Sequence, residues 1–390
     1  MGDRCARTWV TLLPLKRRET TLPWSQVTVK DLREEFVALA RQPDTNMSEL
    51  CRRYRISRKT GYKWLQREDL EDRSSRPKSS PNRMHEDREA LVVALRAQHP
   101  AWGGRKLAHV LLREHGVQMA SSTANSVLRR NGLIDPVASQ AATAWHRFEH
   151  EQPNALWQID FKGHFAMDHG RCHPLTVLDD HSRFNVILQA LDCERREPVR
   201  RQLQAAFEQF GLPERINADN GPPWGAPMPG ALTELGVWLI RLGVRLTHSR
   251  PLHPQTNGKD ERFHRTLAAE VIRGRHFKDL SDVQRQFTVW RHEYNSRRPH
   301  EGIGMQTPAS RYLPSPRAMP TTLPAVEYGP GDLIRRVGSG GRISIKGHKL
   351  RVGKALIGQD VALRPRVQDD GSFDVYFCHH RLEPIELMED

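Results

Sequence analysis

The sequence predicts a multidomain α/β protein in which helical modules lead, a mixed-sheet core fills the middle, and a small β-barrel follows. Three observations predict it. At 390 residues the chain is too long for one small core, and a prior of about 150 residues per domain gives two to four units. Apolar residues in the first third recur at helical spacing, while the middle alternates β-branched runs with amphipathic stretches. From Leu333 to Leu387 short alternating segments take over. The expected boundaries are an N-terminal extension 1–24, a helical module 25–70, a linker 71–87, a second module 88–134, a linker 135–154, the core 155–312, a linker 313–331 and the barrel 332–390.

Charge and cysteine usage narrow the class. Sixty Lys and Arg against 46 Asp and Glu give a net charge of +14, with a pI near 9.9. A polyanionic partner, nucleic acid first, fits that balance. Cys5, Cys51, Cys172, Cys193 and Cys378 are scattered without a CxxC pair, which supports neither a disulfide framework nor a cysteine zinc site. No apolar run approaches the roughly 18 residues that would span a bilayer, and WVTLLPL lacks a signal-peptide cleavage site. A cytoplasmic, nucleoid-associated protein with no membrane partner is expected.

Val29 to Leu39, VKDLREEFVAL, has helical spacing and leads into MSELCRRYRISRKTGYKWLQRE from Met47 to Glu68. Met47, Leu50 and Tyr54 give a short helix one apolar stripe, Arg55 to Ser57 make a turn, and Ile56, Tyr62 and Leu65 can pack a second helix across it. This is a helix-turn-helix pattern. Arg52, Arg53, Arg55, Arg58, Lys59, Lys63 and Arg67 crowd it with positive charge, and Ser57, Arg58, Lys59, Thr60 and Lys63 fall where such a motif meets base edges and phosphates. The plainer reading is an αα-hairpin with a solvated basic face. Arg88 to Ile134 offers three more helical stretches, broken at His99–Gly104 and Gly116–Ser121, and reads either as a second such motif or as a structural three-helix unit.

In the core, LWQIDFKG (Leu156–Gly163) places Gln158, Asp160 and Lys162 on one strand face and Trp157, Ile159 and Phe161 on the other. RCHPLTVLDD and SRFNVILQALD continue as two antiparallel strands, and a helix follows over about Arg196 to Phe210. PERINADNGPPW ends a short strand at Asp219 beside a turn, where the carboxylate can either enter an open site or cap its own loop. A helix near Gly230–Leu242 and a strand at Val244–Ser249 lead to SRPLHPQTNGKDERFHRTL. There Pro251 and Pro254 forbid a helix, Asn257 is a good N-cap, and Glu261 lies in the first turn of a helix starting near Gly258. Phe263, Leu267 and Val271 are expected to pack inward, with Asp260, Glu261, Arg262 and Arg265 on other faces. An acid in a first turn ordinarily complements the helix dipole, and Glu261 with Arg265 could be an ordinary ion pair.

QIDFKG, ADNGPPW, HPQTNGKDERFHRTL and YNSRRPHEGIGMQTPASRY occur in an order that resembles the DDE transposases of bacterial insertion sequences. Their catalytic core is similar to that of retroviral integrases and has the ribonuclease H fold. The resemblance covers most of Leu22 to Tyr312. It implies Asp160, Asp219 and Glu261 as the catalytic and metal-binding trio, and a reaction in which water first frees a 3′-OH at the element end and that 3′-OH then joins target DNA. It also implies double-stranded DNA, both element terminal repeats and target, as partner, and a homo-oligomer, at least a dimer, on DNA. The interval from Asp219 to Glu261 is longer than usual in the family, suggesting an insertion around Gly225–Gly230. Asp260 beside Glu261 leaves room for a register exchange, and Asp179 or Asp180 reads as structural support. No HH and CC pattern precedes the core.

Three clustered carboxylates repel one another unless cations intervene, so a divalent metal site is physically sensible. Hard oxygen donors and a phosphate substrate favour Mg²⁺, two ions in all, with Mn²⁺ able to substitute. Lys259, Arg262 and Arg265 would bind phosphate beside Glu261, or simply be solvated helical charges. His253 and His264 read as packing residues. FKDLSDVQRQFTVWRHEYNSRRPH continues as a helix, prolines mark Leu313–Asp332 as a linker, and Arg335, Arg336, Arg342, Lys346, Lys349 and Arg351 make the last domain a candidate for nonspecific DNA or subunit contact, or simply a solvated basic β surface. Two other functions compete: a DNA-binding regulator with an inactive core, and a nuclease of the same fold that cuts without joining.

Overall fold

The computed structural model describes residues 28–72, 84–134, 149–225, 231–248, 258–366 and 371–386. The chain divides into two compact units at Arg83/Met84. In the first unit, helices α1 (Val29–Ala40), α2 (Met47–Arg53) and α3 (Arg58–Leu65) form the expected helical module. Thr28 starts α1 with a capping box, Asn46 caps α2 and Ser57 caps α3, so each helix begins where a side-chain oxygen can satisfy its orphan amides. Phe36, Val37, Leu50 and Cys51 are buried at the centre. α3 crosses them at Gly61, where a Cβ would stand 2.8 Å from Cys51 Sγ and 2.9 Å from Phe36 Cζ. That close approach explains one correction. Tyr62, expected inside, is 52% exposed, because the helix face that meets the core is the one carrying Gly61 and Trp64.

The second unit opens with α4 (Glu86–Gln98), α5 (Gly104–His115) and α6 (Ser121–Arg130). Trp102, Leu107, Val110, Leu111, Val127 and Leu128 make their common core. Gly116 ends α5 in the left-handed conformation, a helix stop that glycine supplies without strain. This bundle is fastened to the α/β core. Arg297 donates to Glu114 through Nη2 at 2.6 Å, and Arg113 Nη2 donates to the Arg297 carbonyl at 2.9 Å.

The α/β core is a mixed sheet of β1 (Trp157–Phe161), β2 (Phe165–Ala166), β3 (Arg171–Asp179), β4 (Asn185–Leu191), β5 (Arg215–Ala218) and β6 (Arg245–His248). Its order is β2-β3-β1-β5-β6, with β4 also on β3. β1, β3 and β4 are antiparallel, whereas β5 and β6 run parallel to β1. On one face Trp157, Ile159 and Val177 meet Val199, Leu203 and Phe207 of α7 (Arg196–Phe210) and Trp238 and Leu239 of α8 (Glu234–Arg241). On the other, Leu178, Leu188 and Ala190 meet Phe263 and Leu267 of α9 (Gly258–Leu267) and Phe287, Trp290 and Tyr294 of α10 (Leu280–Ser296). α9 runs into a π-helical turn at Ala268–Ile272. Asn257, Pro251, Pro254 and His253 lie outside the described residues, as does most of the expected insertion around Gly225–Gly230.

The stretch 313–331 carries no helix or strand, as its prolines require, but it is strapped to the core. Ser315 N donates to Phe210 O and Leu212 N to Arg317 O, both at 2.7 Å. Beyond it, β7 (Leu333–Arg336), β10 (Asp360–Pro365), β11 (Ser372–Phe377), β12 (His380–Arg381) and β13 (Ile385–Glu386) form one sheet, and β8 (Arg342–Ile345) with β9 (His348–Arg351) a separate hairpin. Among the described residues these two sheets do not close, so the expected barrel is seen as an open pair. Their apolar faces instead share a core that takes in Val237 and Ile240 of α8, which supplies a wall that barrel closure would otherwise provide. No helix among the described residues is long and apolar enough to cross a membrane.

Candidate active site

Asp160 sits on β1, the strand flanked by antiparallel β3 and parallel β5. The pairs Trp157 with Ile216 and Gln158 with Asn217, continued two residues, bring Asp219 alongside Asp160 just past the end of β5. Paired residues of neighbouring strands share a sheet face, so both carboxylates face the side covered by α9. Glu261 is exposed in the first turn of α9, the helix that covers this face. Their proximity is felt at Asp160. Burial pushes its carboxyl up to about 7, with the charge of Asp219, then those of Glu194 and Glu261, adding to the rise.

Asp219 is held by its own loop. The Gly221 amide donates to Oδ1 at 3.1 Å, and Trp224 Nε1 donates to the same oxygen. Trp224 is buried and stacks on Phe161, the residue after Asp160. The indole therefore links the two aspartates, a role the GPPW run did not disclose when read as a turn alone. His248 Nδ1 lies 2.8 Å from the Asp219 carbonyl.

Two residues of α9 differ from expectation. Asp260, expected on an outer face, is 1% exposed, and neither carboxylate oxygen has a hydrogen-bond partner. It lies three residues before Phe263, and the run 260, 263, 267, 271 is the inward stripe of the helix. Burial, then the charges of Asp160 and Asp180, push its carboxyl well up. His264, read as packing, stands one turn beyond Glu261 with Nε2 2.8 Å from Thr176 Oγ1. The Thr176 hydroxyl donates to the Asp160 carbonyl at 3.0 Å, which leaves the imidazole to donate from Nε2 and turns Nδ1 toward Asp160 Oδ2 at 3.9 Å. Burial and the nearby Lys162 hold His264 down to about 3, so it is a neutral ring at physiological pH. The signal for it was its spacing: 260 and 264 are i and i+4, on one helix face.

The predicted DNA-contact residues fall into three groups. Arg58, Lys59 and Lys63 are exposed on α3, while Ser57 and Thr60 are engaged in its cap: Thr60 N donates to Ser57 Oγ at 3.1 Å, and the two hydroxyl oxygens are 2.9 Å apart. Arg262 and Arg265 are exposed on α9. Lys259 is different, because its ammonium turns inward onto Asp180.

Oxygen donors, a carboxyl that resists ionisation and repulsion among acids together suit a divalent cation of the hard class. The fit is one of chemistry and approach. Among the described residues no three of His, Cys, Asp or Glu are gathered closely enough to enclose an ion. Asp219 Oδ1 is turned to Trp224 and Gly221 instead.

The integrase core domain family matches residues 150–254 and, in a second profile of the same description, 242–308. The first span holds Asp160 and Asp219 and the second Glu261. The C-terminal domain of the IS481 family transposases matches 332–390. Along its middle the chain is similar to proteins with an integrase core, and at its C-terminal end to the IS481 family transposases. A homeodomain-like family matches residues 60–128, from within α3 to α6. The insertion element IS407 uncharacterized 31.7 kDa protein of Burkholderia multivorans is 25% identical over 59% of this chain and 82% of its own length. The insertion element IS476 uncharacterized 39.2 kDa protein of Xanthomonas euvesicatoria is 26% identical over 56% of this chain, which spans 63% of that relative, under two thirds of its length. Among solved structures, the simian T-cell lymphotropic virus intasome in complex with PP2A regulatory subunit B56 gamma aligns with a TM-score of 0.35 and 18% identity, covering 75% of this chain and 99% of that one.

Proposed function

We propose that the chain is a DDE transposase that binds the ends of an insertion sequence and performs metal-dependent cleavage and transfer of DNA strands in the bacterial cytoplasm. The observation that carries this reading is the register of β1 against β5, which sets Asp219 beside Asp160 on the sheet face covered by α9, the helix that carries Glu261 in its first turn. Asp160, Asp219 and Glu261 would hold Mg²⁺, or Mn²⁺ in its place; two such ions, when bound, activate the attacking oxygen and stabilise the leaving one at phosphorus. The chain supplies the rest. Trp224 and the Gly221 amide orient Asp219, Thr176 and His264 buttress Asp160, and Arg262 and Arg265 present positive charge to a strand entering beside Glu261. Arg58, Lys59 and Lys63 of α3 would meet the element end, and pairing of two ends calls for at least a dimer on DNA.

The test supplies a duplex carrying the terminal repeat, target DNA and Mg²⁺ or Mn²⁺. The wild-type chain should nick the repeat end and join it to target. Asp160→Asn and Glu261→Gln should lose both steps, by at least about a thousandfold, while keeping end binding. A variant that cleaves at near-normal rate would sink the assignment. Cutting without joining would favour the nuclease, and neither reaction would favour the regulator.

A further inference from the structure

Lys259 does not stand where a phosphate-binding lysine would. Its Nζ forms an ion pair with Asp180 Oδ1 and lies 3.3 Å from the Asp180 carbonyl oxygen, to which it also donates. The side chains are 18% and 1% exposed. Asp180 is held from two further directions: Gln158 Nε2 donates to Oδ1 at 2.8 Å, and the His150 amide donates to Oδ2 at 3.0 Å. Gln158 stands two residues before Asp160 on the same face of β1. Lys259 stands two residues before Glu261 in the first turn of α9. One buried carboxylate at the turn after β3 is thus tied to both elements that carry the outermost members of the trio.

A buried ion pair is a poor source of net stability, since desolvation of the two charges offsets most of their attraction, but losing one partner leaves an uncompensated charge and frees whatever the pair located. α9 needs such a fastening. Its first turn lacks intrahelical partners for its amides, and it carries Asp260 buried without a hydrogen-bond partner, a local cost that favours displacement of the turn. We propose that Lys259 and Asp180 are positioning residues, a latch that sets the first turn of α9 so that Glu261 faces Asp160. The proposal rests on the reading of Glu261 as a site carboxylate, and it replaces the expectation that Lys259 binds phosphate.

Two measurements on the full chain decide it. The first is hydrogen exchange of the Arg262–Leu267 amides without DNA or metal. Lys259→Met and Asp180→Asn should each speed exchange by about tenfold while α10 keeps its protection, with the double variant no faster than either single one. Lys259→Arg should restore protection. Unchanged exchange in Lys259→Met, the milder substitution since its side chain is partly exposed, overturns the latch whether or not the protein cleaves DNA. The second is the single-turnover cleavage rate at saturating DNA, which should fall by about thirtyfold in Lys259→Met with DNA affinity kept within about twofold. Weakened affinity with a normal saturated rate would make Lys259 a phosphate contact and overturn the latch. Absence of cleavage by the wild-type chain would count against the transposase reading and leave exchange to decide the latch.

Discussion

Replacing Asp160 by asparagine should stabilise the metal-free protein at alkaline pH. The carboxyl stays protonated up to about 7 in the folded chain, against an ordinary value of 3.8, because of burial first and the charges of Asp219, Glu194 and Glu261 next. Between those two values the folded chain holds a proton that the unfolded chain has released. Stability therefore falls as pH rises through that window, and the deficit is complete above about pH 7. At about 1.4 kcal/mol per tenfold the full penalty on the ionised form is about 4 kcal/mol. The side chain is 25% exposed, and solvent screening leaves about half of it. Asparagine removes the charge while keeping the shape, so at pH 8 the variant should gain about 2 kcal/mol, or about 4 to 8 °C for a domain of this size. Thermal unfolding at pH 8 and at pH 4, with and without Mn²⁺, is the assay. The gain should be present at pH 8 and nearly absent at pH 4. Mn²⁺ should raise the melting temperature of the wild type at pH 8 and leave the variant unmoved. A variant that melts lower than the wild type at pH 8, or that gains equally at both pH values, would show that Asp160 is not under the burial and repulsion described.

Two further outcomes follow from the same geometry. Trp224→Phe keeps the stacking on Phe161 but removes the indole donor from Asp219, and the single-turnover cleavage rate should drop by about tenfold to a hundredfold with folding intact by circular dichroism; an unchanged rate would mean the indole does not orient the aspartate. Arg58→Ala or Lys59→Ala should weaken binding to terminal repeats and reduce the slope of log affinity against log salt by about one, read by fluorescence anisotropy across a salt series, and an unchanged slope would remove these side chains from the DNA interface.

The order of strands and helices was legible because each core element obeys one period. β1 alternates cleanly, and Val199, Leu203 and Phe207 recur at helical spacing on α7. The placement of Asp160 and Asp219 at or near strand ends was legible because each closes an alternating or apolar run. The inward turn of Asp260 was hidden for a physical reason: its spacing from Phe263 is helical, but an acid on an apolar stripe argues against its own burial. His264 was hidden likewise, since its partner Thr176 lies on β3, 88 positions away. The pairing of Lys259 was hidden because a basic residue beside a proposed site looks outward until Asp180 is seen beneath it. Two-residue β2 is too short to show alternation, and closure of the C-terminal sheets depends on long-range pairing that no local pattern encodes.

The proline-rich strap has a practical corollary for where the core ends. Arg317 spends its guanidinium on three backbone carbonyls, those of Pro213, Leu242 and Gly243, and Met319 and Leu323 lean on the same apolar cluster as Trp157 and Phe207. A fragment cut after Tyr312, where the motifs stop, would strip the floor from beneath α7 and α8 and leave those oxygens to water. The smallest self-sufficient version of the α/β core thus reaches at least to Leu323, some way into a segment that composition alone marks as dispensable.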